Sequence, residues 1–387
     1  MLLAMPPHVL MCLTTPLPFG ASWARAASQV VSITTVSRVR RSRFPAVPGL
    51  RFLHQNPSNP REFELIVSPL RYMRPRRLAH LVEGAHFDVR FQRACTWIGR
   101  QLSPVDVVHS HFAGIWDLTR ATRRLQLPLV HTEHATAFLP EQPIAEKRIT
   151  RTGLARARRL FAHASTVITV SEHLRRAIVD RGLRGNFAVL PNPIDTRHFS
   201  AQELPSADSA VRWVSIGRLA PEKNPQLVLR AFALAFEKNR RLRLDYVGGG
   251  VEEPGLKTLA SDLGLSDRVS FRGFVPQERL PETLAAAHAF VTATQLETFG
   301  VAIAEALSCG RPVVAPEVGP VPELVSPESG ILVKPHDANS LSAALLEVSN
   351  NLPRWKPREI AARLGEHCSD ERVARGLEPI YATALRR

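Results

Sequence analysis

From about residue 104 onward, short β-branched or aliphatic runs alternate with longer helical patterns, which restricts the chain to parallel sheets joined by crossover helices. In the first half the runs are Val105–His109, Leu127–His131, Thr166–Val170 and Phe187–Leu190. In the second they are Val211–Ile216, Leu242–Val247, Val269–Phe271, Ala289–Thr294, Pro312–Ala315 and Gly330–Val333. At 387 residues the chain exceeds one compact core, so two α/β units are expected. The polar stretch Ser200–Ser209, with Pro205, reads as their linker. Boundaries then fall at 1–200, 201–209 and 210–365, with a closing helix over 366–387 packing back toward the first unit.

Residues 20–104 are dense in Pro and Arg and irregular. After a buried strand His8–Leu13, only Ala21–Gln29 reads as a helix before the run Val30–Thr35. The apolar start and Ala24-Arg25-Ala26 invite comparison with a cleaved leader. A positive n-region is missing, however, and Pro6, Pro7, Pro16 and Pro18 interrupt the run, so a buried strand and its loop is preferred. Nothing else approaches the roughly 18 apolar residues that span a bilayer. A cytoplasmic protein, peripheral at most on the inner face of the membrane, is expected. Cys12, Cys95, Cys309 and Cys368 are far apart and form no C-x-x-C pair, which indicates neither zinc nor a disulfide framework.

The net charge of +15 is one-sided: residues 1–200 hold 28 Lys and Arg against 12 Asp and Glu, the remainder 22 against 23. Attraction to an anionic membrane or substrate and an arginine-biased solvated face explain this equally well. Specific nucleic-acid binding is disfavoured, because Arg38–Arg43 and Arg71–Arg77 lack interleaved aromatics.

Two segments carry chemistry. In Ser215-Ile216-Gly217-Arg218-Leu219-Ala220-Pro221-Glu222-Lys223-Asn224-Pro225 a buried strand ends at Gly217, two cations stand five apart, and Asn224-Pro225 supplies an N-cap and a first-turn proline. Arg218 and Lys223 therefore lie between a strand's carboxyl end and a helix's amino end, where a diphosphate is the natural occupant. Solvated surface charges are the plain alternative. In the second segment a strand ends at Thr294, and Glu297-Thr298-Phe299-Gly300-Val301-Ala302-Ile303-Ala304-Glu305 opens a helix closing near Cys309-Gly310. Amides of Phe299, Gly300 and Val301 can meet phosphate oxygens, with Gly300 allowing close approach. Glu297 can accept from sugar hydroxyls. Glu305, on a helix made apolar by Ala302, Ala304, Ala306 and Leu307, needs a polar partner such as ribose. In the first unit, Val108-His109-Ser110-His111 and Val130-His131-Thr132-Glu133-His134 end apolar strands; alone, such histidines are more often structural than catalytic.

Glu297-x7-Glu305, followed by Ala306-Leu307-Ser308-Cys309-Gly310-Arg311-Pro312-Val313-Val314-Ala315 and Gly319-Pro320-Val321-Pro322-Glu323-Leu324-Val325, resembles the Glu-x7-Glu region of group 1 (family 4) retaining glycosyltransferases of GT-B fold. Gly217-Arg218-x4-Lys223 and Val189-Leu190-Pro191-Asn192-Pro193-Ile194-Asp195 are similar to the same family, and the likeness covers about residues 104–345. The resemblance implies an α/β chain of two Rossmann-like domains facing a cleft, the second binding a nucleotide sugar. Arg218 and Lys223 would hold the diphosphate, the amides of Phe299–Val301 its distal phosphate, Glu305 the ribose and Glu297 the donor sugar. His131 would face that sugar and share the catalytic role with Glu297. His109, His111, Glu133 and His134 would line the acceptor side; nothing in their spacing fixes a metal site. Phe274 and Val275 resemble a base-binding edge, although a Gly-aromatic turn is also a common structural device.

No cofactor is expected beyond the donor substrate. There is no Asp-x-Asp pair to hold a metal-bound diphosphate, so Arg218, Lys223 and helix amides must meet the leaving-group charge. Metal-independent transfer with retention by front-face attack is the expectation, onto a glycan or lipid-linked acceptor in cell-envelope or exopolysaccharide synthesis. A nucleotide-sugar epimerase and a degenerate nucleotide-binding partner protein are the alternatives. A nicotinamide dehydrogenase is disfavoured, since Gly248-Gly249-Gly250 does not continue as G-x-G-x-x-G. One departure stands out: where the family has a glycine-rich loop and a full helix, Thr14–Trp23 has only Gly20 and a cramped helix, which weakens any contact from that loop.

Overall fold

The computed structural model describes residues 6–13, 18–39, 46–47, 50–66, 76–112, 118–142 and 149–386. In the first unit these form β1 (His8–Leu13), α1 (Pro18–Ala27), β2 (Ser32–Val39), β3 (Ala46–Val47), β4 (Leu50–Asn56), β5 (Asn59–Ile66), α2 (Arg76–Gln101), β6 (Val107–His111), α3 (Thr119–Leu125), β7 (Leu129–Glu133), α4 (Arg151–His163), β8 (Thr166–Thr169), α5 (Glu172–Asp180) and β9 (Phe187–Val189). The strands pair in the order β3-β4-β5-β2-β1-β6-β7-β8-β9. All six residues of β1 are buried, as a central strand covered on both faces requires. The segment before residue 104 is thus more regular than its composition implies. An antiparallel hairpin, turned where Ser58 N donates to Asn56 Oδ1 at 2.9 Å, lies alongside β2. The long helix α2 follows. α1 runs a full ten residues, so it is not cramped; residues 14–17, 40–43 and 71–75, and the side chains of Arg38, Arg76 and Arg77, lie outside the described residues.

The second unit is a parallel sheet ordered β12-β11-β10-β13-β14-β15. Its elements are β10 (Val211–Ile216), α6 (Pro225–Lys238), β11 (Leu242–Val247), α7 (Glu253–Asp262), β12 (Val269–Phe271), α8 (Leu280–Ala285), β13 (Ala289–Val291), α9 (Val301–Ser308), β14 (Val313–Pro316), α10 (Val321–Leu324), β15 (Gly330–Val333) and α11 (Ala338–Asn350). The glycines after β11 serve tight packing: a Cβ on Gly248 would stand 2.1 Å from Gly217 O. Arg311 is fully buried and donates to Ala287 O at 2.9 Å and to the linker carbonyls of Gln202 and Glu203, tying the connection to this unit.

After α12 (Pro357–Cys368), Ser369 caps α13 (Asp370–Leu385), which packs on α1, β6 and β7 of the first unit. Two further contacts close the units on each other. Ser171 Oγ donates to Thr298 O at 2.7 Å. The Glu323 carboxylate accepts from Glu172 N (3.1 Å) and His173 N (3.0 Å), capping α5 from across the cleft.

Candidate active site

The carboxyl ends of both sheets open onto one cleft of about 780 Å³. Its second-unit wall is built as the two motifs foretell, with differences in detail. Pro225 starts α6, but Asn224 has φ +47° and its side chain caps nothing; it makes the left-handed turn between a short 3₁₀ segment, Pro221–Lys223, and the helix. That turn aims Lys223 at Glu297, and the two form an ion pair. Arg218 reaches back 2.8 Å to the buried Glu222. Glu222 O accepts from Gln295 N at 2.9 Å, so the two motifs are stitched together beside the cleft.

Gly300, at φ +101°, is the N-cap of α9. The first intrahelical bond runs from Ala304 N to Gly300 O, which leaves the amides of Val301, Ala302 and Ile303 without a partner inside the helix. All three residues line the cleft with Gly300 and Phe299. The open donors are thus displaced by two residues from the Phe299–Val301 expectation. Phe299 contributes a buried side chain, and Gly300 the turn.

Glu305 is buried, and burial pushes its carboxyl up to about 7; Gln277 Nε2 donates to it at 3.1 Å. It lines a smaller neighbouring cavity of about 140 Å³, with His198 and Glu278, that shares Asn192 and Val301 with the main cleft. A carboxyl raised from 4.5 prefers its proton in the fold. The folded state therefore loses on the order of 3 kcal/mol as pH climbs from below 4.5 through about 7. Glu305→Gln is expected to match the parent's melting temperature near pH 4.5 and exceed it at pH 8, as differential scanning fluorimetry would register. Phe274 is 84% exposed, and neither it nor Val275 lines either cavity.

On the first-unit wall the histidines separate by strand alternation. His131 is fully buried within β7, its Nδ1 2.9 Å from Ser110 Oγ and its ring against Phe161 of α4. Alternation turns it away from the opening, so the histidine beside the cleft is not His131 but His134, just past the strand's end, with Phe112 and Ala135. Glu133 does not face the cleft either: its buried carboxylate accepts from His134 N (2.8 Å) and Ala135 N (2.9 Å) and holds that turn. Behind His134, His111 Nδ1 lies 2.9 Å from His134 Nε2, and His109 stacks on His111 at 4.7 Å. His109 is anchored 2.8 Å from Tyr381 of α13, and Trp23 of α1 meets all three rings edge-on. His109 and His111 are fully enclosed and support the wall rather than line it.

Burial lowers His109 and His134 to about 3 and His111 well below its ordinary value, so the three rings are neutral at pH 7. The unfolded chain takes up these protons near 6.5, so stability declines as pH falls below that value. The slope reaches ~1.4 kcal/mol per pH unit for each ring. Urea titrations between pH 7 and 5 are expected to show this acid lability, reduced in His109→Asn. Among the described residues no three His, Cys, Asp or Glu side chains converge as a metal site.

Comparison with known proteins bears on this geometry. Residues 197–366 match the family of glycosyl transferases group 1, and residues 50–198 match glycosyltransferase family 4. A D-inositol 3-phosphate glycosyltransferase of Streptomyces avermitilis is 30% identical over 322 residues, covering 75% of this chain and 68% of that protein. The chain is a group 1 glycosyltransferase of family 4. A second such relative of this glycosyltransferase, from Acidothermus cellulolyticus, is 33% identical over 62% of the chain and 58% of the relative. Among solved structures, sucrose-phosphate synthase from Thermosynechococcus elongatus superposes with a TM-score of 0.75 at 19% identity, covering 98% of this chain and 99% of that one. Anabaena HepE in complex with UDP gives 0.73 at 19%, covering 98% and 100%. These likenesses establish the GT-B fold. No helix among the described residues is long and apolar enough to cross a membrane.

Proposed function

We propose that the enzyme transfers a sugar from a nucleoside-diphosphate donor to a glycan or lipid-linked acceptor of cell-envelope or exopolysaccharide synthesis, with retention and without a bound metal. The observation that carries the reading is the convergence of Lys223, Arg218 and the open amides of α9 at one end of the cleft. Together they offer two cations and several N–H donors to a diphosphate, fixed before the substrate arrives. Glu297, held by Lys223, accepts from donor-sugar hydroxyls. His134, on the facing wall, is neutral and acts through one hydrogen bond rather than through charge. Glu305 and Gln277 in the adjoining cavity take the ribose.

As the C1–O bond to phosphate breaks, the electron pair leaves with the diphosphate, whose charge the cations and amides stabilise. The acceptor hydroxyl attacks from the same face and passes its proton to a departing phosphate oxygen. Support for this route is that among the described residues Glu297 is the one carboxylate lining the cleft, and it is engaged by Lys223.

The test is incubation with UDP-, GDP- and ADP-sugars in chelator, with and without free or lipid-linked glycans, following nucleotide release and product anomer. Acceptor-dependent release with retained configuration is expected. Donor consumption without acceptor, or nucleotide binding without turnover across the panel, would overturn the proposal.

A further inference from the structure

A parallel sheet covered on both sides is apolar on both, and the second sheet keeps that rule on one face only. On that face Trp213, Leu244, Tyr246 and Val269 are buried; Trp213 Nε1 donates to Ser349 Oγ of α11 at 3.0 Å, and the Tyr246 hydroxyl to Pro225 O of α6 at 2.7 Å. Alternation sends Arg212 of β10, Arg243 and Asp245 of β11 and Ser270 of β12 to the opposite face. The register sets Arg212 beside Arg243 and Asp245 beside Ser270, so these polar residues are neighbours across three strands. With Asp267 and Arg268 they line a cavity of about 330 Å³ at the amino end of the sheet. The cleft lies at the other end: Ile216, which lines it, is about 13 Å further along β10 than Arg212.

Charge in this cavity is unbalanced. One oxygen of Asp245, whose side chain is 6% exposed, lies 3.1 Å from Arg212 Nη1 and 2.9 Å from Arg272 Nη2, so a single carboxylate faces two guanidinium groups. Asp267, on the rim with its side chain 70% exposed, is 3.0 Å from Arg268 Nε. Arg243 meets no carboxylate among the described residues; its Nη1 donates to the main-chain carbonyl of Asp267. Arg212, Arg243, Arg268 and Arg272 therefore stand against Asp245 and Asp267, an excess of two positive charges. The guanidinium groups are held in place by the strand register, by Asp245 and by the ring of Phe236, 5.3 Å from the Arg268 guanidinium carbon. Each engages one nitrogen in these contacts, which leaves further N–H donors, and a guanidinium fork matches phosphate oxygens in pairs.

We propose that this cavity is a second anion site, separate from the cleft, that takes a phosphate group, either free or esterified to a small molecule. The two excess charges match a phosphate dianion, whereas a monocarboxylate would leave one unmet. The cavity is of a size that holds a small ligand. The proposal is independent of the reaction assigned to the cleft.

Isothermal titration calorimetry of the full chain with inorganic phosphate at fixed ionic strength tests this. Phosphate can also enter the cleft, so the titration is run on the parent and on Lys223→Met, which weakens the cleft alone; a phosphate isotherm that persists in Lys223→Met is expected. Adding Arg243→Gln to that background is expected to weaken phosphate about 10-fold, the effect of losing one charged donor. Asp267→Asn, on the exposed rim, removes a competing carboxylate and is expected to tighten phosphate about threefold, a gain that a damaged fold does not produce. Acetate is expected to bind about 10-fold more weakly than phosphate. Glycerol 3-phosphate distinguishes the two sources: tighter binding than inorganic phosphate assigns the site to a phosphomonoester, equal or weaker binding to the free ion, and both uphold the proposal. It is overturned by the absence of a phosphate isotherm in Lys223→Met, by Arg243→Gln titrating as its background does, by no gain in Asp267→Asn, or by acetate binding as tightly as phosphate.

Discussion

Lys223→Met is expected to lower kcat/KM for the donor by about 10²–10³-fold, the usual cost of removing one preorganised charge from a developing oxyanion. The variant has two defects. It loses a cation at the diphosphate, and it leaves Glu297, whose side chain is 17% exposed and paired with Lys223, as an unpaired negative charge beside two phosphates. Both weaken nucleotide binding, but only the first acts more strongly in the transition state. The double variant Lys223→Met with Glu297→Gln is therefore expected to recover much of the nucleotide affinity, measured by calorimetry, and little of the turnover. Steady-state kinetics within threefold of the parent for Lys223→Met would move the diphosphate to another part of the cleft.

The two histidines of β7 and its exit are expected to respond in opposite ways. His134→Ala removes a group from the cleft wall and should cost about 10²-fold in kcat/KM, with ~1–2 kcal/mol of stability from the lost contact with His111. His131→Ala empties a buried site and strips Ser110 of its partner, so it should cost ~3–5 kcal/mol of stability. Its turnover per folded molecule should stay within a few-fold of the parent's. Chemical denaturation alongside active-site-normalised kinetics separates the two. A stable, inactive His131→Ala would return the catalytic role to the strand interior.

The second unit was nearly all legible, because parallel strands buried on both faces write themselves as short aliphatic runs and because glycine and proline mark its helix ends. The site was legible at the level of segments and less so at the level of atoms. Lys223 and Glu297 stand 74 positions apart, and no spacing rule announces that they pair. His131 and His134 differ by less than one turn of thought along a sequence, yet strand alternation followed by a turn at Glu133 sends one into the core and the other to the cleft. Asn224 read as a side-chain cap because Asn before Pro usually is one; here the backbone needed its tolerance of positive φ instead. The hairpin of β4 and β5 was hidden by Pro57 and Pro60, although Asn56 and Ser58 carried a turn signal. The partner of Glu305, Gln277, opens a short 3₁₀ turn 28 positions earlier and left no trace in the local pattern.

The return of α13 to the first unit has a kinetic meaning. His109 waits for a hydroxyl 272 positions downstream, and Arg25 for a carboxylate 345 positions away. Contacts of such separation carry the loop-closure entropy of the entire second unit, and high contact order slows folding. During synthesis the first sheet would therefore remain unsealed on its α1 side, with Trp23 and the histidine stack awaiting their cover, until the second unit had folded and delivered the last helix. The second unit thus acts as the tether that completes the first, and the order of assembly is written into the crossing of one helix.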